Sequence, residues 1–144
     1  MFLLMATVTC GICQDKAKDT VLITGFVKAV FGSKTKSAVL AKKYIILPPV
    51  LNSRYSDAER LKIFDRHVQK IRKEKMTTVD TADMQVVAYR EYCGEKVNFP
   101  ASAQHEIYIL ISKQKPRCYF LVMAGKIRAF DYIEKGGGGL FITY

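Results

Sequence analysis

The longest uncharged stretch of this chain is its first fourteen residues, MFLLMATVTCGICQ, and it limits the fold at once. It falls short of the roughly 20 apolar residues that a bilayer-spanning helix needs, which excludes such a helix and leaves a globular core as the way to bury apolar side chains. A chain of 144 residues is enough for one domain with a core of its own. Its 49% hydrophobic and 25% charged residues are ordinary globular proportions and argue against general disorder. No segment repeats at a fixed period, so a solenoid or propeller is also excluded.

The same stretch carries two of the four cysteines and supports two readings. In the first it is an export signal. Phe2 to Val8 form a short apolar core, Thr9, Cys10 and Gly11 follow, and charge begins only at Asp15, Lys16, Lys18 and Asp19. Cleavage after Cys13, with Gly11 and Cys13 as the small recognition residues, divides the chain into a signal over 1–13 and a single domain over 14–144. No Lys or Arg precedes the apolar run, and neither cysteine follows the small-residue pattern of a lipoprotein. In the second reading Cys10-Gly11-Ile12-Cys13 is a thiol redox motif placed after a strand. That chemistry also needs a helix after the cysteines, and the polar segment from Asp15 to Thr20 is a poor one. Zinc would need two further ligands, which the two scattered histidines do not offer.

Charge narrows the partner without naming it. Lys and Arg number 23 against 13 Asp and Glu, a net charge of +10, which favours phosphates, acidic glycans, anionic headgroups or acidic proteins. The densest basic stripe is Lys62, Arg66, Lys70 and Lys73, aligned at helical spacing. It lies within the clearest helix of the chain, over 56–75. Ser56 and Glu59 supply a capping box there, Asp57 suits the positive end of the dipole, and Leu61, Phe64, Val68 and Ile71 form an apolar stripe.

The remainder reads as sheet. Val21 to Phe31 is β-branched and aromatic, with Gly25 as a bulge, and pairs across the turn 32–36 with a strand from Ser37 to Leu47 that Pro48-Pro49 stops. Met84 to Tyr92 follows as a strand. His105 to Ser112 and Arg117 to Ala124 then flank the turn 113–116, Gly125-Lys126 turns into a further strand, and LFITY closes the chain. Gly136 to Gly139 lack the following Lys-Ser/Thr of a phosphate loop and read as a turn.

No catalytic constellation emerges. Cys93 and His105 have no orienting third group, and Asp80 and Asp83 read as turn residues that cap backbone amides. Tyr89, Tyr92, Tyr108 and Tyr119, on neighbouring strands, are candidates either for packing or for stacking bases. After signal removal, Cys93 and Cys118 are the remaining thiols, and a bridge between them would contribute about 3 kcal/mol.

The expectation is therefore an α+β fold, a mostly antiparallel sheet of about five to six strands with the 56–75 helix on one face. Its expected role is that of an exported protein, periplasmic, surface-bound or secreted, that binds an acidic protein, glycan or other polyanion through Lys62, Arg66, Lys70 and Lys73, without cofactor or metal. A cytosolic nucleic-acid binder and a thiol–disulfide oxidoreductase using Cys10 and Cys13 are the alternatives.

Overall fold

A computed structural model describes residues 10–49 and 54–144, with side chains from residue 15 onward. The expected apolar signal core, Phe2 to Val8, lies outside the described residues. The described residues form an α+β fold: three helices, a four-stranded antiparallel sheet and a separate two-stranded hairpin. The helices are α1 (Cys10–Val27), α2 (Ser37–Tyr44) and α3 (Asp57–Lys75). The sheet, in the order β1-β2-β3-β4, comprises β1 (Met84–Ala88), β2 (Ile107–Ser112), β3 (Lys115–Met123) and β4 (Lys126–Ala129). The hairpin pairs β5 (Tyr132–Lys135) with β6 (Gly138–Phe141).

Two expected strands are helices. Val21 to Phe31 belongs to α1 and the wider turn Lys28–Gly32 that continues it, and Gly25 is a helical residue lying under Tyr44 rather than a bulge. The reason lies in the burial of Ile23, Phe26, Val27 and Val30, which recur at spacings of three, one and three and therefore share one helical face. Packing that face outweighs the strand preference of the β-branched residues beside it. Ser37 to Leu47 likewise begins as α2, which buries Leu40, Ala41 and Tyr44. Only its end is extended, where Ile45 bridges Ile127 at the β4 edge and the Ile46 N–H donates to Ile127 O at 3.0 Å.

Helix α3 starts as its sequence specifies. The Ser56 N–H donates to Glu59 Oε2 at 2.8 Å and the Glu59 N–H donates to Ser56 Oγ at 3.3 Å, the reciprocal capping box. Its buried stripe holds Phe64, Val68 and Ile71 as expected and differs at one position: Arg60 faces inward, while Leu61 is exposed. Arg60 is the long side chain that can be buried there because its guanidinium is answered. It donates to Asp57 Oδ1 (3.1 Å), Pro48 O (2.8 Å) and Tyr144 O (2.7 Å), joining three separate parts of the chain.

The sheet is covered on both faces. Tyr108, Leu110, Cys118, Phe120 and Val122 point toward the helices and join one core cluster. Ile107, Ile109, Tyr119 and Leu121 point the other way into a second cluster with Phe99, roofed by the irregular chain 89–106 and by β5–β6. Alternation along β2 and β3 thus feeds two cores, as a strand period of two requires. Each of the three hairpins, β2–β3, β3–β4 and β5–β6, turns on two residues with positive φ: Lys113 and Gln114, Ala124 and Gly125, Gly136 and Gly137. Such turns match the twist of the strands they join. The glycine run is therefore a tight turn followed by strand, and Gly139 has a further role. A Cβ there would lie 2.6 Å from Phe99 Cε1, so only glycine lets the Phe99 ring come to rest on β6.

Candidate functional site

The four cations foreseen on α3 are all exposed, and they are engaged differently. Lys62 and Arg66 border a groove of about 730 Å³ between α2 and α3, beside Ser37, Leu61 and Asp65. Lys70 donates to Asp131 Oδ2 at 2.8 Å, and this bond raises its pKa, so its charge is already spent on a half-buried carboxylate. Lys73 lies in the last turn of the helix.

A second cationic cluster, unforeseen as such, converges from three elements. Lys75 ends α3, Lys115 and Arg117 open β3, and Lys96 lies in the irregular chain above the sheet. With Glu95, Asn98, Gln114, Glu134 and the rings of Tyr92, Tyr119 and Tyr132, they line a cleft of about 740 Å³. A smaller hollow of about 340 Å³ shares Lys75, Arg117, Tyr132 and Glu134 with it and reaches Lys70 and Asp131. The cleft therefore extends toward the end of the predicted stripe.

The backbone has been shaped at this place. Leu110 pairs with Cys118, but Ile111 pairs with Pro116, so Arg117 is an extra residue in the β3 ladder. A bulge of this kind re-aims the side chain it carries. The Arg117 Nε–H donates to Ser112 O at 3.1 Å, which fixes the guanidinium plane and leaves both terminal nitrogens unspent. The preceding turn holds Lys113 at φ 51° and Gln114 at φ 62°, a left-handed conformation that glycine adopts more cheaply. Lys96 is held by donation to Tyr89 O (2.7 Å) and Tyr92 O (2.6 Å), with its ammonium 4.3 Å from the centre of the Tyr89 ring. The Tyr119 hydroxyl accepts from the Val97 N–H at 3.0 Å, and burial raises its pKa, as it does that of Tyr132. Both phenols thus stay protonated and can donate. Among the described residues, Lys75, Lys115 and Arg117 have no carboxylate within ion-pairing distance, and Glu95 and Glu134 have no cation.

The remaining candidates separate. Cys93 is exposed and Cys118 is buried against the helices, and both are free thiols. The expected bridge is absent because the β3 alternation turns Cys118 into the core, where burial pushes its thiol up to about 12. His105 is exposed beside Glu106, 3.7 Å away, with no contact to Cys93. Asp80 caps as a turn residue does: its carboxylate accepts from the Ala82 N–H at 2.9 Å. The four tyrosines do not form a stacking face. Tyr108 points to the helices and donates to Asp19 Oδ2 at 2.8 Å, whereas Tyr89 and Tyr119 join the aromatic core on the opposite face. Cys10 is the first residue of α1, an 18-residue helix, so the segment from Asp15 to Thr20 judged too polar for a helix lies inside one. No group of His, Cys, Asp and Glu among the described residues has the geometry to hold a metal ion. No helix among them is long and apolar enough to cross a membrane.

Arg117, Lys75 and Lys115 escaped the sequence reading because only the fold brings α3 to the β2–β3 turn. One signal was present, the cationic run Lys113-Gln114-Lys115-Pro116-Arg117, which looks like any solvated turn until the bulge is known. Compared with known proteins, the chain matches no family model, no curated protein and no solved structure.

Proposed function

We propose that this chain is a non-catalytic binding protein that takes an anionic partner in the cleft between the end of α3 and the β2–β3 turn. The observation that carries this reading is Arg117, placed by a bulge and fixed through Nε alone, lining the same cleft as Lys75 and Lys115. A guanidinium held in this way suits a two-point bond to phosphate, sulfate or carboxylate. The net charge of +10 adds long-range attraction to it. The uncharged apolar stretch over 1–13 supports an exported location, independently of the cleft.

The test compares two pairs of substitutions by measuring heparin and single-stranded oligonucleotide binding at several salt concentrations. Lys115→Gln with Arg117→Gln is expected to weaken anion binding about tenfold or more, the scale of a charge-assisted hydrogen bond. Lys62→Gln with Arg66→Gln is expected to change it less than about twofold, as a remote solvated charge does. The reverse pattern, with a steep salt slope on the oligonucleotide, would favour the nucleic-acid alternative and place it on α3.

A second reading is favoured by one observation: Cys10-x-x-Cys13 runs directly into α1, which continues to Val27 and supplies the helix after the cysteines that thiol redox chemistry needs. Loss of insulin-reducing activity in Cys10→Ser would support a thiol oxidoreductase, and unchanged or absent activity would end that reading.

A further inference from the structure

We infer that the ligand of the cleft is an anionic sugar, a polyhydroxylated ring bearing one phosphate-like group, rather than an extended polyanion. The inference rests on the anion-binding reading above and goes beyond it by naming the ligand's uncharged part.

The first argument is the pair of carboxylates. Glu95 and Glu134 line the same cleft as the cations, and neither has an ion-pair partner among the described residues. A chain of phosphates laid along the cleft would meet these two like charges directly. The outer face of α3, with Lys62, Arg66 and Lys73, would suit such a chain better. A ligand with one anionic end and several hydroxyl groups meets both requirements. Its charge goes to Arg117, Lys75 and Lys115, and its O–H groups donate to the carboxylates, which only accept.

The second argument is the rest of the lining. Asn98 and Gln114 each present an amide that both donates and accepts. The phenols of Tyr92 and Tyr132 have no hydrogen-bond partner within the described chain. The Tyr132 ring is held edge-on by Tyr119, 5.4 Å between centres, and so gives the cleft one firm aromatic wall. Charged and amide groups beside an aromatic wall, around an open space of about 740 Å³, suit a ligand rich in hydrogen-bonding groups of both kinds.

The experiment is isothermal titration with four probes: glucose 6-phosphate, inorganic phosphate, glucose and a single-stranded oligonucleotide. It uses the full chain and the variants Arg117→Gln and Glu134→Gln. Glu134 is exposed on β5, so its substitution leaves the fold intact. Glucose 6-phosphate is expected to bind at least about tenfold more tightly than inorganic phosphate and to lose that binding in Arg117→Gln. Glu134→Gln supplies the discriminating sign. It is expected to weaken the sugar phosphate severalfold, through loss of a charged acceptor, while tightening inorganic phosphate, through loss of a repelling charge. Equal affinity for glucose 6-phosphate and phosphate, with both tightened by Glu134→Gln, would overturn the sugar and leave the anion-binding reading standing. Oligonucleotide binding alone would likewise overturn it. If none of the probes binds and heparin also fails, both readings fall.

Discussion

The two faces of the central sheet are covered by different means. On one face three helices lay down Ile23, Phe26, Leu40, Phe64 and Val68, and each helix satisfies its own backbone. On the other face the cover is irregular chain and a two-stranded hairpin, whose backbone groups need partners from elsewhere. Core tyrosines and one lysine of the loop supply them: the Tyr89 hydroxyl donates to Val97 O at 2.9 Å, the Tyr119 hydroxyl accepts from Val97 N, and Lys96 donates to two carbonyls. The Gly139 N–H donates to Asn98 O at 2.7 Å, tying the irregular chain to β6. The difference explains where the cleft lies. Polar side chains collect on the face whose cover cannot satisfy itself, and the space left between loop, hairpin and helix end becomes a lined cavity.

That contrast can be broken at its centre. Phe99 contacts Tyr89, Tyr119 and Tyr132 and stacks on Phe141 with ring centres 4.6 Å apart, so it is the hub of the second cluster. Phe99→Ala is expected to lower the unfolding free energy by about 3–5 kcal/mol in urea titrations, and to loosen the cleft first in hydrogen exchange. If exchange rises equally on the helical face, the two faces form one cooperative unit. Gly139→Ala probes the same ring from β6. With no room for its methyl group against Phe99 and Val97, the variant is expected to lose about 1–3 kcal/mol. A Tm unchanged by this substitution would mean the hairpin shifts freely and is not a true roof.

Tyr119→Phe keeps the ring and removes only the acceptor for the Val97 N–H. The expected cost is about 1–3 kcal/mol if that N–H is then left dry, and near zero if water replaces the hydroxyl. A near-zero cost would show the loop to be solvated rather than held by the core.

The smallest effect belongs to the helical face and to pH. His67 Nδ1 lies 3.1 Å from the Tyr144 hydroxyl and 3.7 Å from Asp131. Burial holds its pKa below the ordinary 6.5; Lys70 and Arg66 act in the same direction and Asp131 opposes them. Below that value the unfolded chain binds a proton that the folded chain resists. Stability is therefore fully present above pH 6.5 and declines as the pH falls through the lowered folded value. Denaturant midpoints between pH 5 and 7.5 should follow that decline in the native chain, and His67→Gln should flatten it. An unchanged slope would assign the pH dependence to other groups.

Much of the fold was legible where local chemistry and packing agree. The Ser56–Glu59 box, the apolar spacing of α3 and the two hairpins of β2, β3 and β4 are written in residues that touch close in sequence. The N-terminal region was not legible by composition, because Val21, Ile23, Thr24 and Val27 favour strands in isolation. Their helical state depends on a buried face completed by Tyr44, Phe120 and Phe130 from far along the chain. The site divides in the same way. The sequence by itself determined the cationic character of the molecule and the exposed row on α3, since charge must remain solvated on a helix whose other face is buried. Only the tertiary structure decided that Lys70 would be spent on Asp131, that Cys118 would turn inward, and that Arg117 would stand on a bulge lining the same cleft as Lys75. Each depends on contacts between segments distant in sequence, and such contacts are set by how the two faces of the sheet are filled.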